Sequence, residues 1–157
     1  MDILKGSFSD LIHNYVLICA GLSWFIAQIL KTLLYCVFNK KMKWERMVGS
    51  GGMPSSHTAC VSALTIATCR KSGFSSVDFA ISFILAVIVI YDALNVRRQA
   101  GEHAKAINIV VDHIDDRNDD GDDLGIKELK ESLGHKPMEV LAGALLGILI
   151  SMILPMR

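Results

Sequence analysis

Four apolar segments divide this chain of 157 residues and limit its fold more than any other feature. They cover residues 14–38, 55–69, 77–94 and 138–154. A helix that crosses a hydrocarbon core of about 30 Å needs roughly 20 apolar residues, and the first and third segments come close to or exceed that length. Hydrophobic residues make up 52% of the chain, which is rare in soluble domains. We predict an all-α integral membrane helical bundle with about four apolar helices, folded as a single domain over residues 1–157.

The polar segments carry most of the charge and indicate how the helices are oriented. Residues 39–56 include a basic cluster, and residues 97–135 form a polar insertion before the last apolar segment. With four crossings these two segments lie on the same side of the membrane, and the positive-inside rule makes that side cytoplasmic. The 16 basic and 16 acidic residues balance, so no global field indicates a nucleic-acid partner. The sequence leaves open whether the chain forms a homo-oligomer.

The polar insertion combines helical and acidic stretches. A helix over residues 98–114 would place apolar side chains on one face: Ala104, Ile107, Val110, Val111 and Ile114. The acidic run 115–123 then follows, and a calcium-binding loop would start within it at Asp116, but the twelfth position of that loop is Lys127 where a bidentate Glu is required. This favours a solvated loop, followed by a short helix over residues 126–133. We predict no metal site and no cofactor, and calcium binding by the acidic run stays an open alternative.

A turn-rich stretch precedes the second apolar segment and ends in a histidine. Its glycines, including Gly52, let backbone N–H groups approach an anion at the start of a helix, where the helix dipole adds positive charge. Ser55 and Ser56 either cap the helix or donate to a phosphate, and His57 is suited to protonate a leaving oxygen. An ordinary capped helix with an interfacial histidine is the alternative interpretation.

A second histidine motif stands at the start of the last apolar segment. His135 and Glu139 are four residues apart, so they share one helix face and can form a hydrogen bond. A carboxylate that holds one imidazole nitrogen leaves the other nitrogen for attack and stabilises the imidazolium. Pro137 suits the first turn of a helix, where a Glu near the helix dipole is the simpler explanation.

Charged residues also occur within and beside the apolar segments, where a charge is costly unless it faces protein or water. Lys31 shares a helix face with Gln28, and it either snorkels to the interface or joins a polar site. Asp92 lies near the end of the third segment, and Arg97 and Arg98 follow it. This pattern is compatible with a structural ion pair, with a contribution to the site, and with binding of lipid phosphates by the arginines.

These motifs together resemble the type 2 phosphatidic acid phosphatase superfamily. P-S-S-H at residues 54–57 looks like its P-S-G-H motif, and H-K-P-M-E-V-L-A-G at residues 135–143 looks like its H-x-x-x-D-V-x-A-G segment. The chain is more similar still to the divergent branch of that superfamily, which occurs in bacteria and plants. The matching segments of this branch are residues 25–31, 51–57, 92–98 and 134–139. The resemblance covers nearly the whole chain apart from the acidic run, and it implies a protein of the bacterial cytoplasmic membrane.

The resemblance implies a phosphatase that works without metal. His135 would be the nucleophile that forms a phosphohistidine, Glu139 would orient it, and His57 would be the general acid. Cations and backbone N–H groups would stabilise the phosphoryl oxygens. Because the site would lie at a membrane surface, the expected substrate is a lipid phosphate monoester or pyrophosphate. Phosphatidylglycerophosphate, phosphatidate and polyprenyl pyrophosphate all stay open as that substrate.

Departures from the superfamily pattern keep another class of function open. The superfamily's lysine-to-arginine-proline motif is not evident, which leaves Lys31, Lys43 or Arg46 to cover part of it. The superfamily's arginine six residues before the nucleophile is Leu129 here, which leaves Arg97 or Arg98 to take its part. In addition, Ser56 replaces a glycine and Glu139 replaces an aspartate. The alternative function is a non-catalytic membrane protein that binds lipid phosphate or a protein partner through the same polar cluster. A transporter or channel module is a further idea, which rests only on charges near the spans.

One competing histidine has the superfamily spacing. His103 lies six residues after Arg97, but Ile107 and not a carboxylate follows four residues later, so His135 is the preferred nucleophile. The predicted catalytic residues are His135, His57 and Glu139, and the predicted substrate-binding residues are Lys31, Gly52, Ser55, Ser56, Asp92, Arg97 and Arg98.

Overall fold

The structure is a computed structural model that describes residues 8–39, 52–115, 129 and 135–156. Every regular element within these residues is helical. In chain order the elements are α1 (Phe8–Ile12), α2 (Tyr15–Asn39), α3 (Ser56–Ser72), α4 (Val77–Tyr91), a π-helical turn (Asp92–Val96), α5 (Arg97–Asp115) and α6 (Pro137–Ile153). The predicted all-α bundle is therefore confirmed, and α2, α3, α4 and α6 correspond to the four apolar segments.

Helix α3 occupies the centre of the bundle because it carries small side chains on several faces. It packs against α2, α4 and α6. Its buried residues are alanines, serines, threonines and one valine. Small residues let helix backbones approach closely, which drives association where lipid removes the hydrophobic effect between helices. A hydrogen bond adds to the packing on α4, since Thr65 Oγ1 donates to the Ser82 carbonyl at 3.1 Å.

The closest approach in the bundle joins α3 to α6 at two glycines. A Cβ atom built on Gly143 would lie 2.4 Å from the Ser55 carbonyl oxygen. One built on Gly147 would lie 2.2 Å from the carbonyl oxygen of Ala59 and 2.9 Å from the nitrogen of Ala63. Gly143 and Gly147 have the G-x-x-x-G spacing that is typical of close helix packing, and here it serves a contact within the chain, where only hydrogen fits between the two backbones.

The outer surface of the bundle is apolar, as contact with lipid requires. Large side chains such as Phe25, Ile84 and Leu145 are exposed, whereas most buried residues are alanine, serine or threonine. Among the described residues, Tyr15–Val37 and Val77–Ile114 are long and apolar enough to cross a membrane. Helices α3 and α6 have 17 residues each, or about 26 Å, slightly less than a typical hydrocarbon core. The molecule is an integral membrane helical bundle.

A polar clamp joins three helices at the end of the bundle where α2 begins. The Tyr15 hydroxyl donates to the Ser151 carbonyl near the end of α6 at 3.0 Å. Arg70 on α3 donates through Nη1 to the Tyr15 hydroxyl at 2.5 Å, to the Leu154 carbonyl at 3.0 Å and to the Ser151 carbonyl. A cation at a helix C-terminus is favourable for the helix dipole, and these bonds also satisfy the last carbonyls of α6.

The helix boundaries differ from the predicted ones in two places. Helix α3 extends past the apolar segment to Ser72, because Gly73 closes it with φ 82° and donates to the Cys69 carbonyl at 2.8 Å. The start of the polar insertion at residue 97 is not a break, since α4, the π turn and α5 form one continuous helical stretch.

The face of α5 was only partly predictable from its apolar pattern. The predicted helix is confirmed within one residue at each end. Burial, however, falls on Gly101, Ala104 and Asn108, whereas Ile107 and Val110 are exposed. The acidic run beyond residue 115 and the predicted helix over residues 126–133 lie outside the described residues, apart from Leu129.

Candidate functional site

A cavity of about 240 Å³ lies where α3, the end of α4, the π turn and the start of α6 meet. Both motif histidines line it, together with an acid, an arginine and three apolar residues: His57, His135, Asp92, Arg97, Ile88, Val89 and Ala93. Residues far apart in sequence thus meet at one end of the bundle, opposite the Arg70 clamp. This cavity is the candidate functional site.

His135 is held by Glu139 in the geometry that its spacing predicts. The two residues are one turn apart, with His135 Nδ1 at 2.9 Å from Glu139 Oε2. The same oxygen accepts a second hydrogen bond from the Lys136 backbone nitrogen at 3.2 Å. His135 is only 7% exposed. Because Nδ1 carries its proton towards the carboxylate, the bond leaves Nε2 as the ring nitrogen available to a ligand.

Backbone hydrogen bonds join three segments at the cavity: the starts of α3 and α6, and the π turn. The Ser55 nitrogen, just before α3, donates to the Glu139 carbonyl of α6 at 2.9 Å. The His135 nitrogen donates a hydrogen bond to the Ala93 carbonyl of the π turn at 3.4 Å. These contacts fix the start of α6 against both neighbouring elements, so the position of His135 depends on the fold of all three segments.

His57 lies in the first turn of α3 and is exposed, in contrast to His135. It is close enough to Arg97, His135, Lys31 and Asp92 for their charges to act on it. An exposed imidazole beside a buried one gives the cavity two distinct nitrogen bases. The exposed ring can exchange protons with water and with a ligand, as a general acid must.

The two serines before His57 are buried. Ser55 caps α3, since its Oγ accepts from the Thr58 nitrogen at 3.4 Å and from the Thr58 hydroxyl at 3.0 Å. Ser56 is 3% exposed in the first turn of α3. Neither serine lines the cavity, so among the interpretations of Ser55 the structure shows the helix cap.

Lys31 lies inside the bundle, close to the turn before α3. Its side chain is 4% exposed, so it does not extend from the bundle surface as a snorkelling lysine would. Its Cγ and Cδ atoms lie 3.2 Å and 3.1 Å from where a Cβ on Gly52 would stand. Gly52 also has φ 95°, which favours glycine. The buried aliphatic part of Lys31 therefore packs against the turn that contains Gly52, although neither residue lines the cavity.

The arginines after α4 differ in position. Arg97 lines the cavity, and its Nε donates to Asp92 Oδ2 at 2.5 Å. Arg98 is exposed and does not line it, and the same holds for His103. The structure thus brings Asp92 and Arg97 to the two histidines, and it leaves Arg98 and His103 outside the cavity.

The apolar wall of the cavity was missed by sequence reasoning. Ile88, Val89 and Ala93 complete the lining. A signal for two of them was present, because residues three and four positions before Asp92 lie on its helix face. The wall belongs to a membrane helix, so the cavity is polar at one side and apolar at the other.

Leu129 stands where the superfamily has an arginine, and the structure shows how it is held. Leu129 is exposed, and its backbone is paired with the buried Asn108 side chain of α5. Asn108 Nδ2 donates to the Leu129 carbonyl, and the Leu129 nitrogen donates to Asn108 Oδ1, both at 2.9 Å. Among the described residues, no group of three or more His, Cys, Asp or Glu is placed to hold a metal ion.

Comparison with known proteins identifies the family. The Divergent PAP2 family model matches residues 12–150. The protein "Uncharacterized membrane protein YuiD" of Bacillus subtilis (strain 168) is 38% identical over 152 residues, covering 92% of this chain and 96% of that protein. No solved structure gives a significant match. The chain therefore belongs to the Divergent PAP2 family of membrane proteins.

Proposed function

We propose that this protein is a membrane-embedded phosphatase that hydrolyses a lipid phosphate monoester or pyrophosphate through a phosphohistidine intermediate. The observation that carries the proposal is the pair of buried His135 and partly buried Glu139, whose Nδ1–Oε2 distance is 2.9 Å, with His135 in the same cavity as His57 and Arg97. A nucleophile with an orienting base partner, an acid and a cation are the groups that phosphoryl transfer needs. Membership of a family named for the type 2 phosphatases supports the same reaction.

The proposed reaction has two steps. First, His135 Nε2 attacks phosphorus, the bond from phosphorus to the leaving oxygen breaks, and His57 gives its proton to that oxygen. The proton stays on Nδ1, and its hydrogen bond to the Glu139 carboxylate stabilises the positive ring of the phosphohistidine. Second, water attacks phosphorus, His57 takes the water's proton, and the phosphorus–nitrogen bond breaks to release phosphate. Both histidines then have their starting protonation states.

The apolar wall supports a lipid as the leaving group. Ile88 and Val89 line the cavity, and Ile88 is also exposed on the outer surface of α4. A chain attached to the phosphate would lie along this surface within the hydrocarbon region. Phosphatidate, phosphatidylglycerophosphate and polyprenyl pyrophosphate are candidates of this kind.

We place the site on the cytoplasmic side of a bacterial cytoplasmic membrane. The support is that the segments 39–56 and 97–135 hold 10 of the 16 Lys and Arg residues of the chain, which the positive-inside rule counts without regard to acidic residues. A reporter enzyme fused at the C-terminus is expected on the extracytoplasmic side. A reporter active only in the cytoplasm would contradict this orientation.

The test of the proposed function is phosphate release by the purified protein in detergent, measured on a panel of these lipids. The wild type is expected to release phosphate and His135→Ala is expected to lose it. His103→Ala is the matched control, since this exposed histidine lies outside the cavity, and it should retain the wild-type rate. Equal release by the wild type and His135→Ala would refute the role of His135.

A second candidate function is non-catalytic binding of lipid phosphate or of a protein partner by the same cluster. The observation that favours it is Leu129 in place of the superfamily's arginine. Under this function, lipid phosphates bind and the bound lipid is recovered intact after prolonged incubation. Multiple turnovers that depend on His135 would exclude it.

A further inference from the structure

The π-helical turn between α4 and α5 places two opposite charges at the cavity. The Arg97 nitrogen donates to the Asp92 carbonyl across this turn, a bond between residues five apart. The side chains repeat the pairing, because Arg97 Nε donates to Asp92 Oδ2 at 2.5 Å. One irregular turn thus fixes both the backbone and the guanidinium of Arg97.

A regular α-helix would separate these side chains. At 3.6 residues per turn, positions five apart point in directions about 140° away from each other. The residue one turn beyond Asp92 would be Val96, which is exposed. The wider π turn aligns positions five apart, and such turns occur often at functional sites. In this way Arg97, and not its neighbour Arg98, comes to line the cavity.

We propose that the π turn and Asp92 position Arg97 as the guanidinium that binds the substrate's phosphate, in place of the superfamily arginine that Leu129 replaces. This inference deepens the proposed function and rests on it for the identity of the ligand. Asp92 is a positioning residue, which acts on the phosphate only through Arg97.

The chemistry of the guanidinium fits this arrangement. Arg97 uses its single Nε–H on Asp92, which leaves the four N–H bonds of the two terminal nitrogens for a ligand. Two of them can bind two phosphate oxygens in parallel, the usual geometry of arginine on phosphate. The Arg97 side chain is 50% exposed, so a phosphate can reach it.

The direction in which Asp92→Asn changes phosphate binding distinguishes a positioning role of Asp92 from a purely electrostatic one. A carboxylate beside an anion site repels phosphate, so neutralising a bystander Asp92 would tighten phosphate binding. If Asp92 orients Arg97, then Asp92→Asn weakens binding although it removes a negative charge. The effect must also vanish when the arginine is absent, because Asp92 acts through Arg97.

The experiment measures binding of inorganic phosphate to the detergent-purified protein by calorimetry. Arg97→Gln is expected to weaken binding about tenfold to a hundredfold, and Asp92→Asn at least severalfold. In the Arg97→Gln background, Asp92→Asn should cause no further weakening of binding. Lys105→Gln is the matched control, since it removes one exposed positive charge from the same helix and should leave binding unchanged. Helicity and melting temperature, measured for every variant, identify any loss of folding.

Three results would overturn the inference: tighter or equal binding by Asp92→Asn, an equal loss in Arg98→Gln and Arg97→Gln, or no phosphate binding by the folded wild type. Lipid turnover is measured separately on the same variants. It distinguishes a failure of the positioning inference from a failure of the proposed hydrolysis. Phosphate binding that depends on Arg97 without any turnover refutes hydrolysis and supports the positioning. Turnover that is indifferent to Arg97 refutes the positioning and supports hydrolysis.

Discussion

Replacing Gly147 with alanine should separate α6 from α3. The added Cβ would lie 2.2 Å from the Ala59 carbonyl oxygen and 2.9 Å from the Ala63 nitrogen. Ordinary contact begins at 3.4 Å, so one backbone must retreat by about 1 Å. Both close atoms belong to the α3 backbone, and no flexible side chain is available to move aside.

The expected cost follows from three contributions. Overpacking of a tight contact costs about 1–3 kcal/mol. The retreat also weakens the hydrogen bond from Ser151 Oγ to the Ala63 carbonyl, now 3.0 Å, which is worth about 1 kcal/mol. Alanine returns about 1 kcal/mol through its higher helix propensity. The net loss of folding free energy for Gly147→Ala is therefore about 1–3 kcal/mol.

Gly21→Ala is the matched control, because a Cβ on Gly21 of α2 meets nothing within 4 Å. It should be neutral or slightly stabilising for the same propensity reason. Both variants are compared with the wild type by reversible unfolding in mixed micelles, followed by circular dichroism. If Gly147→Ala unfolds at the same denaturant concentration as Gly21→Ala, then α3 and α6 leave room for a Cβ at Gly147 and the reasoning is refuted.

Three further substitutions test the cap, the clamp and the nucleophile. Ser55→Ala removes the N-cap of α3 and should lower the free energy of unfolding by about 1 kcal/mol; unchanged stability would contradict the capping role. Tyr15→Phe removes the hydroxyl that contacts Arg70 and α6, and thermal unfolding should show a loss of about 1–3 kcal/mol, whereas a wild-type melting temperature would exclude the clamp. Glu139→Gln keeps a hydrogen-bond acceptor for His135 but removes the charge, so kcat should fall by roughly two orders of magnitude or more. A kcat close to the wild-type value would show that the carboxylate charge is not used.

The helices were predictable because apolar length and small-residue spacing are local properties of the sequence. The four apolar segments correspond to α2, α3, α4 and α6, and the G-x-x-x-G spacing of Gly143 and Gly147 is typical of a close contact between helices. The sequence did not reveal the partner of that contact, because a G-x-x-x-G pattern serves contacts between chains as well as within one. The face of α5 was predicted only in part for a similar reason, since a hydrophobic pattern does not identify what covers it.

The candidate site depended on one local irregularity that pattern rules do not predict. The pair His135–Glu139 follows from helical spacing alone, and the structure has it. The pair Asp92–Arg97 has a spacing of five, which a regular helix does not bring together. Sequence reasoning therefore left Arg97 and Arg98 equivalent, and the π turn distinguishes them. Opposite charges five apart at the end of a span are the signal that would have suggested such a turn.

The attachments of α6 fix the position of His135 relative to His57. Helix α6 is tied to α3 at both ends, by Arg70 at the clamp and by the bond from the Ser55 nitrogen to the Glu139 carbonyl. Between these attachments, its two glycines lie directly against the α3 backbone. Helix α6 therefore cannot slide or turn against α3 without breaking several of these contacts. Helix α4 packs on α3 and is linked to it by the Thr65 hydroxyl, and the carbonyl of Ala93 in the π turn that follows α4 accepts a hydrogen bond from the His135 nitrogen. The separation of the two histidines is thus set by the packing of the bundle itself and not by a ligand.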